Sequence, residues 1–292
     1  MLLALSAFAL AAAQQIDTTL AVERSQRLQV SAFGGDVGVQ VWNQNAVRVQ
    51  ATTSGRKRVL VSLTGSTLSV RIEGRHGQPT DAELRITAPP WMALRLSGVH
   101  TDVKVNGVRA PITVETVEGE VDVSGGDGLI SLRSVQGSVR LRGAKGRISV
   151  NSVNEDVEVA NSSGEIMAET VNGEIVLQGV DAGTVDASTI NGDILYAGPI
   201  RNGGRYSLST HNGDITVTVA EGSNASVAVS TFNGEFESEF PVPLSETRKG
   251  KGFNFTLGSG SAQVTLESFQ GTIQLVRPGS REANRSNQRD HE

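Results

Sequence analysis

Five acidic residues, each two positions after an asparagine, are the side chains in this sequence whose spacing could support shared chemistry. The pairs are Asn154 and Asp156, Asn172 and Glu174, Asn191 and Asp193, Asn212 and Asp214, and Asn233 and Glu235. If these segments stack in a sheet, carboxylates about 5 Å apart repel by roughly 0.8 kcal/mol in bulk water. The acids must therefore point into solvent, pair with bases or hold cations.

Solvation of the acids is the default expectation, and weak Ca²⁺ binding by Asp156, Glu174, Asp193, Asp214 and Glu235 is the alternative, because carboxylate and amide oxygens suit this ion. One stretch, Gly125-Gly126-Asp127-Gly128, approaches the glycine-rich repeat of calcium-binding β-rolls. The asparagines themselves are expected to form a hydrogen-bonded ladder along one edge. No other cofactor is predicted.

A basic cluster could indicate a site for a polyanion, and it consists of Arg133, Arg140, Arg142, Lys145 and Arg147. Acids one repeat away argue against this interpretation. The expected neighbours are Asp122 and Glu158 for Arg140, Glu115 for Arg133, Asp127 for Lys145 and Glu165 for Arg147, whereas Arg142 is expected to lack an acid. Together with a net charge of −5, this pattern predicts cross-strand ion pairs and no nucleic-acid partner.

Enzymatic signatures are weak in this sequence. The chain has no cysteine, and its histidines are His76, His100, His211 and His291. None lies beside paired acids as in polysaccharide-cleaving β-helix enzymes, and His211 is expected to be a partly buried structural residue. Phosphate-loop, serine-hydrolase and zinc-protease motifs are also missing. We therefore predict no catalytic residues, with a polysaccharide lyase or glycoside hydrolase as the alternative function.

The elements that must position these side chains are short strands in a tandem repeat. Glycines at 119, 128, 137, 146, 164 and 173 fall on a regular grid, with Glu155 in the missing slot. Apolar residues recur at the third, fifth and usually eighth positions of each unit, as in Ile130, Leu132 and Val135, and their two-residue spacing is the pattern of strands. Every second turn carries a fuller Ser/Thr–apolar–Asn–Gly–acid signature, for which Asn-Gly turns with positive φ are expected.

A turn signature on alternate turns indicates a coil with two main strands per rung rather than a meander of hairpins. The predicted fold is all-β: a single-stranded parallel β-helix, or β-solenoid, with about 18 residues per rung. The coil is expected to be right-handed, as parallel crossovers generally are. Val121, Val139, Val157 and Ile175 should then stack inside the coil, beside a second column of Val123, Leu141, Val159 and Leu177.

The chain divides into four segments. Residues 1–13 are an apolar run ending in Ala11-Ala12-Ala13, which predicts a signal peptide and export to the periplasm or the cell surface, with no transmembrane segment after cleavage. Residues 16–100 are interpreted as wider, irregular first rungs, with a separate small β-domain as the alternative. Residues 101–276 form the regular solenoid, with a projecting loop near 239–252 where Pro241 and Pro243 interrupt pairing. Residues 277–292 are interpreted as a disordered polar tail.

The sequence resembles the bacterial DUF4097 family, whose members are described as adhesin-like or β-strand-repeat proteins. The resemblance rests on the repeated V-N-G-E/D-I and V-E-G-E-V turns. It is supported by the order of signal peptide, G-G-D-V segment, the Ala88–Trp91 stretch and the repeats, and it covers roughly residues 20–276. The resemblance implies an exported β-solenoid without catalytic residues to transfer.

These patterns predict an exported, non-enzymatic binding or scaffold module that presents repeated surfaces to an envelope glycan or protein. The polysaccharide-active enzyme is the second hypothesis, and a structural spacer of the cell envelope is the third. The identity of the ligand does not follow from the sequence.

Overall fold

A computed structural model describes residues 14–53, 58–73, 81–242 and 252–279. Alternating apolar and polar residues form strands throughout these ranges. The first thirteen strands are β1 (Gln14–Ala21), β2 (Arg27–Ser31), β3 (Gly34–Val41), β4 (Ala46–Thr53), β5 (Arg58–Thr64), β6 (Thr67–Glu73), β7 (Ala82–Ala88), β8 (Ala93–Ser97), β9 (His100–Val108), β10 (Ile112–Glu115), β11 (Val121–Gly125), β12 (Asp127–Arg133) and β13 (Val139–Arg142).

The remaining strands follow the same alternation. They are β14 (Lys145–Asn151), β15 (Val157–Ala160), β16 (Ser163–Glu169), β17 (Ile175–Gln178), β18 (Asp181–Asn191), β19 (Ile194–Ala197), β20 (Arg205–Asn212), β21 (Ile215–Thr218), β22 (Ala225–Thr231), β23 (Phe236–Ser238), β24 (Phe253–Leu257), β25 (Ala262–Gln270) and β26 (Ile273–Val276). No helix of the described residues is long and apolar enough to cross a membrane.

The strands form two sheets of 13 strands each, which face each other across one hydrophobic core. Sheet A has the order β1-β4-β7-β3-β9-β11-β13-β15-β17-β19-β21-β26-β23, and sheet B has the order β24-β22-β25-β20-β18-β16-β14-β12-β10-β8-β2-β6-β5. From β8 to β21 the chain alternates between the sheets, so that one strand of sheet B and the next of sheet A make one rung. The all-β solenoid prediction is confirmed at this level, whereas the right-handed coil stays a prediction.

The two predicted interior columns are present. Val121 pairs in parallel with Val139, Val139 with Val157, and Val157 with Ile175, and all four side chains are buried. The column of Val123, Leu141, Val159 and Leu177 lies beside them and is also buried. Partners along the edge are separated by 18 residues between Asn154 and Asn172. This separation grows to 19 at the next rung, where β18 contains one extra residue, and then to 21, where the turn after β19 lengthens.

Both ends of the rod depart from chain order. Strand β2 lies between β6 and β8, and β3 lies between β7 and β9. At the other end β25 is inserted between β20 and β22, and β26 between β21 and β23. The strands of residues 16–100 thus belong to the same two sheets and the same core as the repeats. Most of the predicted projecting loop, residues 243–251, lies outside the described residues, as do residues 1–13 and 280–292.

Antiparallel strands and aromatic side chains close the two ends. Strands β4 and β1 continue sheet A antiparallel to β7, and β5 continues sheet B antiparallel to β6. At the far end β24 pairs antiparallel with β22. Phe236, Phe253 and Phe255 cluster there with ring centroids 4.9 to 6.2 Å apart. These bulky rings cover the last core residues, which have no further rung to bury them.

Repeat glycines such as Gly119, Gly146 and Gly164 have a positive φ, whereas Gly137 and Gly192 do not and are required for another reason. Asn161 is the one non-glycine residue with positive φ among those described, so the turn asparagines do not adopt the left-handed conformation. Instead, a Cβ at Gly137 would lie 2.0 Å from the carbonyl oxygen of Gly119, and one at Gly192 would lie 2.0 Å from that of Gly173. The close approach of successive rungs excludes larger residues there.

Truncation of an interior residue tests the register of the rungs. Val157→Ala removes two buried methyl groups from a closed column, and we expect it to lower the free energy of unfolding by about 1–3 kcal/mol. The measurement is chemical denaturation followed by circular dichroism. Val176→Ala is the matched control, because Val176 lies on the outer face of sheet A and is only half-buried. Equal losses for the two variants would contradict the assigned interior.

Candidate functional site

The asparagines of the turns form the predicted ladder along one edge of the rod. The Nδ2 of Asn172 donates to the Oδ1 of Asn154 at 3.0 Å, Asn191 donates to Asn172 at 2.9 Å, and Asn212 donates to Asn191 at 2.8 Å. The order then follows the rearranged end of the rod, because Gln270 pairs with Asn212 and lies between it and Asn233. Each ladder amide keeps one N–H and one oxygen lone pair for other partners.

Three of the predicted acids act as acceptors for the backbone of the next rung. The Oδ1 of Asp156 accepts from the backbone N–H of Glu174 at 2.7 Å. Asp193 accepts from the N–H of Asp214 at 2.8 Å, and Asp214 accepts from the N–H of Thr272 at 2.6 Å. Asp102 makes the same contact with Glu120 at 2.8 Å. The backbone N–H supplies the positive partner that a stack of acids needs, which accounts for acids after the turn.

The calcium prediction for Asp156, Glu174, Asp193, Asp214 and Glu235 stays a prediction. Within the described ranges, no group of three or more histidine, aspartate or glutamate side chains is placed to hold a metal ion. The stretch Gly125–Gly128 enters strands β11 and β12 of the regular ladder, with Asp127 beside Lys145.

The serine or threonine of the turn signature also has a structural role, which sequence reasoning missed. These side chains point inward and donate to the backbone carbonyl of the turn in an adjacent rung. The contacts are Ser134 to Gly119 at 3.0 Å, Ser152 to Gly137 at 3.1 Å, Thr170 to Glu155 at 3.0 Å, Thr189 to Gly173 at 3.1 Å, Thr210 to Gly192 at 2.9 Å and Ser268 to Gly213 at 3.0 Å. A small hydroxyl is therefore needed wherever the turn backbone is buried.

The basic cluster is matched by acids on sheet A. Arg140 contacts Glu158 at 3.6 Å, as predicted, and also Glu120 at 3.4 Å. The expectation that Arg142 lacks an acid is wrong, because its guanidinium lies 3.3 Å from Asp122 and 3.4 Å from Glu158. The side chain reaches diagonally across the ladder rather than straight along it.

On sheet B, Arg147 contacts Glu165 at 2.9 Å. Arg133 pairs in register with Glu115, and Lys145 with Asp127. These pairings favour the interpretation of cross-strand pairs over a polyanion site.

An apolar column along the edge where the strands of sheet B end is the most unusual surface of the described chain. It is formed by the residue that precedes each turn Asn, or the residue at the equivalent position. The side chain of this residue points outward, whereas the serine or threonine directly before it points inward. We call this column the apolar ridge; in spatial order it comprises Phe33, Val99, Val117, Val135, Val153, Val171, Ile190, His211, Phe269 and Phe232. Hydrogen bonds of neighbouring turns set its register, as from Asn191 N to Val171 O at 2.8 Å. The sequence repeat contains these residues, but alternation alone does not decide whether the valines face the core or solvent.

The ridge is exposed and ends in stacked aromatic rings. Ile190 is 49% exposed and Phe232 is 59% exposed. The ring of His211 lies parallel to that of Phe269 at 4.6 Å, and Phe269 lies parallel to Phe232 at 5.0 Å. His211 is therefore an exposed member of an aromatic stack, and the prediction of partial burial is wrong. Of the other histidines, His100 contacts Glu118 at 2.6 Å, whereas His76 and His291 lie outside the described residues.

Two polar rows border the ridge. The amide row follows it in each turn and consists of Gln136, Asn154, Asn172, Asn191, Asn212, Gln270 and Asn233. The second polar row lies two positions before the ridge in each strand and consists of Ser31, Ser97, Glu115, Arg133, Asn151, Glu169, Ser188, Ser209, Glu267 and Ser230. Beside the aromatic stack, a shallow cavity of about 270 Å³ is lined by Ser209, Ser230 and Glu267 together with the three rings. The surface is thus an apolar strip between two hydrogen-bonding strips.

The groups with a shifted pKa in the described part of the chain lie away from the ridge and are explained by structure. Arg48 hydrogen-bonds to Asp17 at 2.8 Å and lowers the pKa of that carboxyl. The ion pair of Arg201 with Asp181 lowers the pKa of Asp181 and fixes the turn inserted after β19. Burial raises the pKa of Tyr196, whose hydroxyl donates to the carbonyl of Pro199 at 3.0 Å. None of these shifts indicates an acid–base pair in a cleft.

Comparison with known proteins identifies the family. The model of the family named Toastrack DUF4097 matches residues 25–276, which is most of the chain. The chain belongs to the Toastrack DUF4097 family. The family resemblance inferred from the repeated turns is thereby confirmed. Among curated proteins, none matches the chain.

Solved structures are similar to this Toastrack protein at low sequence identity. A "putative adhesin" from Parabacteroides distasonis has a TM-score of 0.51 and 9% identity, and covers 91% of this chain and 98% of its own. A "putative lipid binding protein" from the same organism has a TM-score of 0.49 and 13% identity, with coverage of 90% and 96%. A "putative adhesin" from Bacteroides fragilis has a TM-score of 0.47 and 13% identity, with coverage of 91% and 99%. At these sequence identities, the first of the three structures supports the assignment of the fold and nothing more.

The acids of the turns provide a test that separates a backbone role from a cation role. Asp193→Ala removes the acceptor of the Asp214 N–H, and we expect it to lower the free energy of unfolding by about 1 kcal/mol. Asp193→Asn keeps an acceptor oxygen and should cost less than half as much. Asp186→Ala, on the outer face of β18, the strand that precedes this turn, is the control and should change stability by no more than about 0.5 kcal/mol.

The same variants test the calcium prediction by thermal melting with and without millimolar Ca²⁺. The backbone role predicts that Ca²⁺ does not change the Tm of the protein, nor the Tm of the double variant Asp193→Asn/Asp214→Asn. A cation that binds only the native state, at a concentration of 100 times its Kd, would add about 2.7 kcal/mol of stability. A rise in Tm that disappears in the double variant would therefore establish a cation site.

Proposed function

We propose that this Toastrack protein is an exported, non-enzymatic binding or scaffold module of the cell envelope, and that the apolar ridge is its contact surface. The proposal is supported chiefly by an outward-facing apolar column that recurs in rung after rung and is exposed at Phe33, Val117, Ile190, Phe269 and Phe232. An apolar surface of this length lowers solubility unless a partner covers it, so its persistence favours binding. The predicted signal peptide and the adhesin-like names of the structural neighbours agree with export.

A scaffold role suits the remainder of the molecule. Its interior is filled by buried aliphatic side chains, and the described cavities are shallow surface grooves rather than enclosed chambers. Beside the aromatic end of the ridge, Glu267 is in register with Ser209 and Ser230 rather than with a second acid. The polysaccharide-cleaving alternative needs two cooperating carboxyls beside a groove.

Binding of the purified protein to isolated cell envelopes tests the proposal. We expect retention of the protein without release of reducing ends, and at least a fivefold weaker retention for Val171→Thr/Ile190→Thr. Both changes keep a β-branched side chain and place a hydroxyl on the ridge, and Ile190→Thr also removes one methyl group. Val176→Thr is the control, because Val176 is a half-buried residue on the opposite sheet. Equal binding by all three proteins would exclude the ridge, and release of reducing ends would favour the enzyme.

A further inference from the structure

We propose that the apolar ridge binds an extended, uncharged polysaccharide of β-linked, equatorially substituted hexopyranoses, with the polymer lying parallel to the rod axis. This inference rests on the proposed binding function and names its ligand class and site. Three independent features carry it: the repeat distance along the ridge, the polar rows on both sides of it, and the aromatic stack at its end.

The repeat distance favours a polymer over a small molecule. Successive ridge residues are separated by one strand spacing, about 4.8 Å, and the column runs through all the rungs from Phe33 to Phe232. A ligand that meets the same chemistry at each step should itself repeat at nearly that distance. Extended β-1,4-linked glucans and N-acetylglucosaminans advance by a similar length for each sugar. Several consecutive sugars can therefore lie over consecutive rungs before the two repeats drift out of register.

The cross-section of the ridge favours a sugar ring. An equatorially substituted pyranose has apolar C–H faces and a rim of hydroxyl or acetamido groups. One face can cover residues such as Val171 and Ile190, while the rim reaches the amide row on one side and the second polar row on the other. The ladder uses one donor and one acceptor of each Asn, so Asn172 and Asn191 retain groups to offer the ligand. The ladder also fixes the orientation of these amides before the ligand arrives, which reduces the entropy cost of binding.

The charge of the borders favours an uncharged polymer. Glu115, Glu169 and Glu267 stand in the second polar row, and Asp193 and Asp214 lie just beyond the amide row. Arg133 is the single base of the second row. A uronic acid polymer or a nucleic acid would meet repulsion at most rungs.

The aromatic stack provides an end point for the polymer. His211, Phe269 and Phe232 lie on one another, and Phe232 is the outermost ring of the three. Its large exposed fraction, 59%, leaves ring surface for the apolar face of a sugar. The adjoining cavity of about 270 Å³ adds the hydroxyls of Ser209 and Ser230 and the carboxylate of Glu267 as hydrogen-bonding groups.

Other occupants fit this surface less well. A peptide that adds a strand needs an unpaired sheet edge, and the sheet B strands that lead into the ridge are paired on both sides from β8 to β25. A membrane surface favours a broad apolar face, whereas the ridge is one residue wide between polar rows. A second copy of this chain could cover the ridge with its own, which the experiment below distinguishes.

Pull-down on insoluble polysaccharides tests the inference with the full protein. We expect retention on cellulose or chitin, and at least tenfold less retention on starch, an α-linked glucan, and on cross-linked polygalacturonate. Val171→Thr/Ile190→Thr and, separately, Phe232→Ala should lower the association constant at least fivefold on the β-linked polymer. Val176→Thr should change it less than twofold. Soluble oligosaccharides should bind more tightly as their length increases from two to six sugars.

The outcomes separate this inference from the proposed function. Absence of retention on both β-linked polymers, or equal retention of the ridge variants, overturns the glycan assignment even where envelope binding by the ridge persists. Stronger binding to polygalacturonate than to cellulose or chitin overturns the uncharged ligand. Sedimentation of the protein as a dimer that the double variant dissociates would assign the ridge to a second copy. Circular dichroism of each variant verifies that the fold is retained.

Discussion

Hydrogen bonding of each rung to the next, with like residues in register, is the constraint on which the rest of this structure depends. A parallel ladder places every side chain about 4.8 Å from its counterparts in the adjacent rungs. Apolar columns such as Val121 to Ile175 satisfy this constraint simply by packing. Polar columns must be self-complementary, because a stack of identical charges or unpaired dipoles is unfavourable.

Each polar column of the rod meets that requirement in a different way. Asparagine is self-complementary, since its amide donates to one neighbour and accepts from the other. Aspartate is not, and in the turns it accepts from the backbone N–H of the next rung instead. Inward hydroxyls donate to turn carbonyls. On the outer face of sheet A, Arg140 and Arg142 alternate with Asp122 and Glu158.

Much of this arrangement could be predicted from the sequence, because a tandem repeat makes local spacing and spatial neighbourhood equivalent. An offset of one repeat correctly gave the interior columns, the Asn ladder and the contact of Arg140 with Glu158. The same offset failed for Arg142, since a long side chain can reach diagonally to a residue that lies two positions off the direct register. The turn glycines were predicted from a need for positive φ. At Gly137 and Gly192, however, glycine is needed because two backbones approach closely.

The ends and the ridge were beyond the reach of periodicity. Insertion of β2 beside β8 and of β25 beside β20 joins segments whose separation along the chain is unrelated to the repeat. For the ridge, the alternating pattern predicts that a valine such as Val171 belongs to a strand, but it cannot decide whether the side chain faces the core or solvent. The buried hydroxyl of Thr170 decides it, because a residue adjacent to an inward side chain must point outward.

Stability of the edge is the simplest explanation for an outward apolar column, and it accounts for part of the ridge. β-branched side chains pack well on their counterparts in adjacent strands, which suits Val135, Val153 and Val171, all half-buried by their neighbours. The explanation is insufficient at the end of the column, where Phe232 has a neighbouring ring on one side and is still 59% exposed. The outward column beyond the second polar row is mixed, with Ser149, Met167 and Asp186 in successive rungs. Since the ladder tolerates such variety on its outer face, a column that is apolar at every rung but that of His211 requires a cause beyond packing, and a ligand that follows the same axis supplies one.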